Sequence, residues 1–405
     1  MRYIYILFFI LTIMRGESDV SLTIKKNVGS KTNISIENTS NGLTTALAQK
    51  SFVLFKDDLT LSGNFDVNEN MNQINNSDRY VLKYNLSNSS GANLVVSLFN
   101  NDNSSLLFQK NYNISSFDKY PFLIHKSISD INKFLGYGSM DWINRLVLMS
   151  RYTGSGKSEI VLSDYTFTYK KAIVTGGLNL FPKWANKSQT SFYYTSMSGS
   201  LPTIYEYNLN SGIKNYITSG EGMLVCSDVG SNGTKMLLTM SPEGQPDVYE
   251  FDKITKTAKR LTDFGGIDVS GQYLNGEKEI VFVSNRLGYP NIFKKYVDSP
   301  SVSQVVFKGR ENNSCDTRGN KIVYSSRESK NMFGSNTFNI YMISNSSTLP
   351  LTSNGENQFP RFSDDGEVVM YIRQANGNSY AGFVNPKTNQ NKLFIINSKV
   401  QSIDW

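Results

Sequence analysis

Apolar and polar residues follow two different patterns along the chain, and the pattern changes near residue 140. Residues 20–24 and 34–36 alternate between apolar and polar side chains, which predicts strands because strand side chains point to opposite faces in turn. Three further strands are predicted at 80–86, 93–99 and 106–112, since loops rich in Asn, Ser and Gly separate them.

Two segments of this first region have helical spacing. Residues 49–61 place apolar side chains along one stripe, and Gly63 follows as a helix stop. Residues 118–135 form a second apolar stripe that ends before Gly136. Together with the strands, these helices predict a small α/β domain over residues 19–140.

A unit of about 43 residues recurs beyond residue 141. Each copy starts with a short motif on a predicted inner strand, followed by a tight turn and further apolar strands. The motif copies are 182–184, 227–229, a degenerate copy at Gln272, 313–315, 360–362 and 403–405. Their third residues lie 45, 43, 43, 47 and 43 residues apart. Four short strands at this period are typical of a β-propeller blade, which stacks on its neighbours to bury both faces.

The last strand, residues 400–405, ends the chain without the other strands of its blade. Matching strands occur at 145–150, 159–164 and 171–175, ahead of the first complete copy. The chain is therefore predicted to form a six-bladed β-propeller over residues 141–405, closed by the C-terminal strand, which removes a loose sheet edge. The predicted fold class is mainly β, with a small N-terminal α/β domain before the propeller.

The first residues have the pattern of an export signal. Arg2 precedes an apolar run of about 12 residues, and small residues follow at positions 16 and 18. Residues 1–18 are predicted to be a signal peptide, because the run is too short to cross a bilayer as a helix. Cys226 and Cys315 begin strands in different repeats, so we expect packing residues and no disulfide between them.

Composition and short motifs limit the kinds of binding and catalysis expected of this chain. The formal charge is +7, but the basic residues form no run, which argues against nucleic-acid binding. His125 is the one histidine and is expected to pack or cap a helix. Residues 153–158 lack the first glycine of a phosphate loop and are expected to form a hairpin turn. With no Gly-x-Ser-x-Gly elbow and no His/Cys cluster, we expect no catalytic site, no metal and no cofactor.

Three segments carry a resemblance to a known family. Residues 241–249 and 284–293 look like the blade hairpins of the TolB family, and residues 57–65 look like the motif that ends a helix in its front domain. The Ser-Pro-Asp-Gly sequence that is usual at the first turn of those blades is only partly kept here. The resemblance implies a periplasmic, non-enzymatic protein of the Tol–Pal system that supports outer-membrane integrity and cell division.

The resemblance also implies two protein partners. A Pal-like peptidoglycan-associated lipoprotein would dock at the channel mouth, where loops lead into the inner strands. A TolA-like inner-membrane protein would bind the mature N-terminal segment as an added strand. The residues expected at the mouth are Glu221, Met223, Asp268, Glu311, Asn312, Glu356, Phe359 and Gln401. Those expected in the N-terminal segment are Val20, Leu22 and Ile24.

Two other functions stay open from the residues alone. The chain fits an exported propeller glycosidase or peptidase, which would need clustered carboxylates in the channel, about 5–9 Å apart for a glycosidase. It also fits a carbohydrate-binding lectin, with aromatic and amide side chains in pockets between blades. In each case we expect a monomer, which reaches the envelope membranes only through its partners.

Overall fold

The computed structural model describes residues 31–328 and 337–405. The predicted signal peptide, the predicted strand at 20–24 and the residues Val20, Leu22 and Ile24 lie outside these ranges. Within the described ranges, no helix has both the length and the apolar character that crossing a bilayer requires.

The first region is a five-stranded sheet covered by two helices. Its elements are β1 (Thr32–Asn38), α1 (Thr45–Leu61), β2 (Phe65–Val67), β3 (Tyr80–Asn88), β4 (Ala92–Asn100), β5 (Ser105–Ile114) and α2 (Tyr120–Phe134). The strands are ordered β2-β1-β3-β4-β5, and β1 runs parallel to both of its neighbours. Within the described residues, the predicted strands and both predicted helices of this region are confirmed, whereas the strand predicted at 20–24 stays a prediction.

The helix bounds differ from the prediction at the N-terminal ends. Helix α1 begins at Thr45 because the Thr44 side chain caps it, accepting a hydrogen bond of 3.3 Å from the Leu47 N–H. Helix α2 begins at Tyr120, since residues 117–119 form a short 3-10 turn ahead of Pro121. Proline fits there because its missing N–H falls where a helix has no internal acceptor.

Beyond the 3-10 helix Asp141–Asn144, the described chain forms six units of four strands. Four of them are separate sheets, and units 5 and 6 are joined into one eight-stranded sheet by a single parallel pairing of Phe338 with Glu356. Unit 1 contains β6 (Val147–Gly154), β7 (Lys157–Ser163) and β8 (Lys170–Val174). Unit 2 contains β9 (Asn179–Trp184), β10 (Ser191–Ser196), β11 (Thr203–Asn208) and β12 (Lys214–Ser219). Unit 3 contains β13 (Leu224–Val229), β14 (Lys235–Met240), β15 (Asp247–Asp252) and β16 (Thr257–Arg260).

The remaining strands complete the repeat. Unit 4 contains β17 (Asp268–Leu274), β18 (Glu279–Ser284), β19 (Asn291–Tyr296) and β20 (Val302–Gln304). Unit 5 contains β21 (Glu311–Arg318), β22 (Lys321–Glu328), β23 (Thr337–Ser344) and β24 (Ser347–Pro350). Unit 6 contains β25 (Glu356–Phe362), β26 (Val369–Ala375), β27 (Asn378–Val384) and β28 (Asn391–Ile395). The last strand, β29 (Val400–Asp404), pairs antiparallel with β6 and joins unit 1. Closure into a complete ring stays a prediction, which this pairing supports.

The inner strands correct the predicted alignment in two units. The third residue of the motif is Tyr273 in unit 4 and Thr317 in unit 5, where the sequence placed Gln272 and Cys315. The evidence is the register, because Tyr273 pairs with Ile280 and Thr317 with Ile322, as Trp184 pairs with Phe192 in unit 2. The copies are thereby more evenly spaced than the predicted alignment has them.

At three boundaries between units, a carboxylate of one inner strand accepts a hydrogen bond from a backbone N–H of the next unit. Asp404 accepts the Trp184 N–H at 2.8 Å, Asp228 accepts that of Tyr273 at 2.8 Å, and Asp316 accepts that of Phe362 at 2.7 Å. Asp316 and Asp404 are buried, and Asp228 is half-buried. These bonds join unit 1 to unit 2, unit 3 to unit 4 and unit 5 to unit 6.

The inner positions therefore alternate from unit to unit. Units 1, 3 and 5 carry aspartate at the second position of the motif, whereas units 2, 4 and 6 carry Lys183, Gln272 and Arg361. The backbone alternates as well, because Phe181, Ser270 and Phe359 have positive φ angles of 53°, 57° and 54° in units 2, 4 and 6. The structural repeat is a pair of units, each pair holding one acceptor strand and one donor strand.

The N-terminal domain packs on units 1 and 6. One hydrophobic cluster joins Phe55 and Ile128 of the domain to Tyr165 of unit 1 and Phe383 of unit 6. Trp142, between the two regions, stacks on Phe383 with ring centroids 6.0 Å apart. On α1, Asp57 also accepts a hydrogen bond of 2.7 Å from Lys392 of unit 6.

Replacing Asp316 by alanine is expected to destabilise the propeller by about 1–3 kcal/mol, since the buried Phe362 N–H would lose its acceptor. Asp316→Asn keeps an acceptor oxygen and should lose less. Urea unfolding followed by circular dichroism measures both. Asp102→Ala, in an exposed turn of the N-terminal domain, is the control. Equal stability of the Asp316→Ala and Asp102→Ala variants would contradict a stabilising role for this bond.

Candidate functional site: the channel mouth and the domain junction

Two sets of loops form one end of the propeller, which we call the mouth. The first set leads into the inner strands: 175–178, 220–223, 261–267, 305–310, 351–355 and 396–399. The second set joins the second and third strands of a unit, as residues 197–202 and 285–290 do. Both sets lie at the same end because the strands are antiparallel: the end of β10, Ser196, pairs with the start of β9, Asn179.

The topology places six of the eight predicted mouth residues at or next to this end of their sheets. Glu221, Met223 and Glu356 are exposed, with Met223 keeping 46% of its surface. Glu311 is half-buried and forms an ion pair of 2.5 Å with Arg327. The exposed members are acidic and apolar side chains of two separate places, the loop before unit 3 and the start of unit 6.

Two predicted mouth residues lie deeper in their strands. Phe359 is half-buried and packs against the core shared with the N-terminal domain. Gln401 accepts a hydrogen bond of 3.4 Å from the Phe181 N–H across the boundary between units 1 and 2. Both side chains therefore support the inner wall of the mouth.

Asp268 and Asn312 are fully buried, so they shape the mouth from below. Asp268 pairs with Arg286 at 2.9 Å, and the Arg286 guanidinium lies over the rings of Phe264, Phe282 and Phe293. Asn312 donates to Asn291 at 2.9 Å and to the carbonyl of Lys308 at 3.2 Å. These contacts hold the hairpin 285–290 of unit 4 and the loop 305–310 that follows it.

Sequence analysis missed the most exposed apolar residues of the mouth. Leu287 and Tyr289 lie in the hairpin 285–290 with 61% and 59% of their surface exposed, and Phe307 lies in the next loop with 78% exposed. Met197, Leu201 and Ile267 add to the same end. The missed signal is large apolar residues inside turn segments, because the prediction considered only the loops that lead into inner strands.

The domain junction contains a buried charged network centred on His125 of α2. His125 Nδ1 lies 2.8 Å from Asp58 Oδ2 of α1, and its Nε2 lies 3.2 Å from Asp164 Oδ2, just after β7. The Tyr165 hydroxyl donates to the other oxygen of Asp58. His125 does pack in a helix, as predicted, but it also bridges two carboxylates from the two regions of the chain.

The two carboxylates decide the charge of this histidine. Burial by itself lowers the pKa of His125, but Asp58 and Asp164 outweigh it and raise the pKa to about 9. Tyr165 stays protonated, because burial and Asp58 raise its pKa well above the usual value. At neutral pH the junction is therefore an imidazolium held between two carboxylates.

Among the described residues, the other segments and side chains considered as reactive sites have structural roles. Residues 153–158 form the turn of the β6–β7 hairpin, as predicted. Cys226 and Cys315 are buried free cysteines, also as predicted. In the described ranges, no group of three or more His, Cys, Asp or Glu side chains is arranged to hold a metal ion.

Comparison with known proteins identifies the family. Residues 144–405 match the family model described as the TolB beta propeller domain. The chain is 37% identical to the Tol-Pal system protein TolB of Helicobacter hepaticus over 100% of both chains. It is also 46% identical to that of Wolinella succinogenes over 321 residues, 78% of this chain and 76% of the relative. The chain belongs to the TolB family.

A solved structure agrees with the fold of this family. The crystal structure of TolB from Acinetobacter baumannii aligns with a TM-score of 0.74, covering 93% of this chain and 96% of that chain at 21% identity. Family membership makes the chain a non-enzymatic propeller protein of the Tol–Pal system. The predicted family and the predicted lack of enzymatic activity are thereby confirmed, and the glycosidase and peptidase alternatives are removed.

The His125 network predicts a pH-dependent stability. Because the folded-state pKa is raised from 6.5 to about 9, the stabilisation is complete below pH 6.5 and is lost as pH rises through 9. The expected loss is on the order of 3 kcal/mol. Thermal unfolding measured between pH 6 and pH 9.5 should show it, with pH values chosen around that window.

His125→Gln is the variant that isolates this effect. Glutamine does not titrate, so the variant should be less stable than the wild type at pH 6 and should lose much less stability towards pH 9.5. Lys126→Gln, on the exposed face of the same helix, should keep the wild-type slope. If His125→Gln and the wild type lose equal stability with rising pH, His125 is not the titrating group.

Proposed function

We propose that this chain is a periplasmic docking protein of the Tol–Pal system that binds a Pal-like peptidoglycan-associated lipoprotein at the mouth of the propeller. A TolA-like inner-membrane protein would bind the N-terminal segment that contains Val20, Leu22 and Ile24. The protein would thus link the inner membrane to the outer membrane, acting as a monomer in outer-membrane integrity and cell division.

The observation that carries this proposal is the exposed apolar surface of the mouth. Phe307, Leu287 and Tyr289 are large side chains on neighbouring loops of unit 4, each more than half exposed. Such side chains supply most of the binding energy where a partner covers them. Lys308 and Arg310 are exposed in the same loop as Phe307 and provide polar surroundings, as the polar rims of protein interfaces do.

The loops that carry this surface are held in place before any partner arrives. Asn291 donates to the carbonyl of Val306 at 2.9 Å, and the Asn312 N–H donates to the carbonyl of Pro290 at 2.8 Å. These bonds connect the loop of Phe307 with the hairpin of Leu287. Preorganised loops lose little conformational entropy on binding, which favours a stable complex.

The double variant Leu287→Asp, Phe307→Asp is expected to weaken binding of the soluble domain of the Pal-like lipoprotein tenfold or more, roughly the loss at an interface hot spot. Two carboxylates would have to be desolvated in an apolar contact. Isothermal titration calorimetry with the partner from the same organism measures the affinity.

The matched control is Ile254→Asp, which changes an equally exposed apolar residue at the opposite end of the propeller, in the turn between β15 and β16. The control should bind like the wild type. Unchanged binding by the double variant would exclude the mouth of unit 4 as the docking surface. Equal loss in both variants would exclude a face-specific contact.

The N-terminal segment is tested separately with Leu22→Asp, Ile24→Asp. Strand addition places alternate side chains in pockets of the partner, so the variant should weaken binding of the TolA-like domain about tenfold while keeping the lipoprotein affinity. Lys26→Ser, in the same segment, is the control. Surface plasmon resonance with both partners gives the comparison, and wild-type affinity for the TolA-like domain would contradict this part of the proposal.

A further inference from the structure

The sheet of the N-terminal domain ends in a long strand whose outer side is free. Strand β5 (Ser105–Ile114) has 10 residues and pairs with β4 alone among the described residues. Strand β2, at the opposite edge of the same sheet, has 3 residues, and the outer strands of the six units have 3 to 6. A long unpaired edge can accept a strand from another chain, so proteins usually shorten or cover such an edge.

The hydrogen bonds of the neighbouring strands show which backbone groups of β5 are free. The Asn101 N–H donates to the Arg79 carbonyl at 3.0 Å, which continues the register of β3 and β4 by one residue pair. Odd-numbered residues of β4 therefore bond to β3 and even-numbered ones to β5, because successive residues of an antiparallel strand direct their backbone groups to opposite sides. Over residues 108–114, even-numbered residues of β5 lie opposite even-numbered residues of β4. The odd-numbered residues of this stretch thus direct their N–H and C=O groups to the free side.

The free side carries the backbone groups of Gln109, Asn111 and Asn113, which are all exposed. The usual protections of a sheet edge are missing here. The strand contains no proline, and its register shift against β4 lies ahead of this stretch, at Leu107. The one charged residue of β5, Lys110, forms an ion pair with α2 on one face of the sheet. The edge is therefore open to pairing with another strand.

The face of β5 that contacts α2 is apolar at one end and basic further along. Phe134, the last residue of α2, is 51% exposed, and its ring centroid lies 5.4 Å from that of Phe108. Lys110 and Lys126 each form an ion pair of 2.7 Å with Asp130. An added strand would therefore place one side chain of this face near Phe134 and the next ones near the lysines.

The surface charge of β5 and α2 is positive. Lys110 is the one charged residue of β5, and Lys126, Asp130 and Lys133 are the charged residues on the surface of α2. The two ion pairs share one carboxylate, and Lys133 forms none with the described residues. Residues 118–119, just ahead of α2, carry one charge of each sign. An acidic segment would compensate this charge, whereas a second copy of the chain would bring the same lysines to the contact.

We propose that β5 is a docking edge for an extended acidic segment of another protein. The segment pairs antiparallel with the free backbone groups of residues 109–113 and extends the sheet by one strand. It places an apolar side chain against Phe134 and acidic side chains beside Lys110 and Lys126. This inference does not rest on the proposed docking at the mouth, because the two surfaces belong to different domains.

The test uses a labelled peptide with blocked ends, Thr-Thr-Glu-Thr-Glu-Thr-Leu-Thr, and the chain from residue 19 onward. Fluorescence anisotropy measures its affinity beside that of the same peptide with glutamine in place of glutamate. We expect saturable binding of the acidic peptide and roughly fivefold weaker binding of the neutral one, because each exposed ion pair contributes little. Hydrogen exchange followed by mass spectrometry should slow in residues 105–114 when the acidic peptide is bound.

Asn111→Pro isolates the backbone pairing. Proline removes an N–H on the free side of β5 and leaves the bonds to β4 in place, so the domain should fold while peptide binding weakens about tenfold or more. Asn111→Thr keeps the N–H and should bind like the wild type. Thermal unfolding verifies each fold, and hydrogen exchange of the wild type locates the peptide even if the proline variant does not fold.

The double variant Lys110→Gln, Lys133→Gln isolates the charge. It should bind the acidic peptide roughly fivefold more weakly than the wild type does and should bind the neutral peptide equally well. Lys187→Gln, Lys278→Gln removes two exposed lysines of the propeller and is the matched control. The control should bind both peptides like the wild type.

Each outcome supports or overturns the proposal. Binding that slows exchange in residues 105–114, is lost in Asn111→Pro and is kept in Asn111→Thr supports it. No binding of the acidic peptide, or equal binding by the two Asn111 variants, overturns the pairing at β5. Equal affinity for the acidic and neutral peptides overturns the assignment to an acidic segment. A wild-type dimer in sedimentation velocity that Asn111→Pro converts to a monomer would assign the edge to a second copy instead.

Discussion

The hydrogen bond from a backbone N–H of one inner strand to the aspartate of the preceding unit is the contact on which the propeller depends most. Blade faces interact through apolar side chains, which pack without fixing how far one strand is displaced along its neighbour. The aspartate bond does fix it, since a slip of one residue would remove the acceptor from a buried N–H. Asp228, Asp316 and Asp404 thereby define the register between paired units.

The same contact explains why the inner strands do not all look alike. Asp404 accepts a hydrogen bond of 3.1 Å from the Lys183 ammonium as well as one from a backbone N–H, and Arg361 lies 3.6 Å away. Two of the donor units, 2 and 6, therefore also carry charges that balance this carboxylate. Buried carboxylates need such partners to stay ionised without a large penalty. Where the balancing charge is more distant, part of the cost remains: Lys183 lies 4.0 Å from Asp228, and burial raises the pKa of Asp228 to about 6. The channel is therefore lined by a nearly balanced set of charges.

The architecture could be predicted from the sequence because its signals are local and repeated. Alternation, glycine turns and the recurring motif identified the strands, and the α1 bounds differed only because Thr44 is a cap. The errors have a common cause. Cys315 fitted the apolar end of the motif and Gln272 fitted its spacing, and only strand pairing showed that Thr317 and Tyr273 occupy the position. Asp268 looked like an exposed mouth residue because its partner, Arg286, lies 18 residues away in the hairpin turn 285–290. His125 looked like a packing residue because Asp58 and Asp164 are 67 and 39 residues away.

Asp57 and Asp58 are adjacent residues of α1. They contact units 6 and 1, where the two ends of the propeller sequence come together. Asp57 holds Lys392 of unit 6, while Asp58 holds Tyr165 of unit 1 through its hydroxyl. In an envelope protein that is pulled from its N-terminal end, tension entering through α1 would divide between these two attachments. The ion pair with Lys392 and the hydrogen bond with Tyr165 would then carry the force. The force would reach the pairing of β29 with β6 only after these two contacts break.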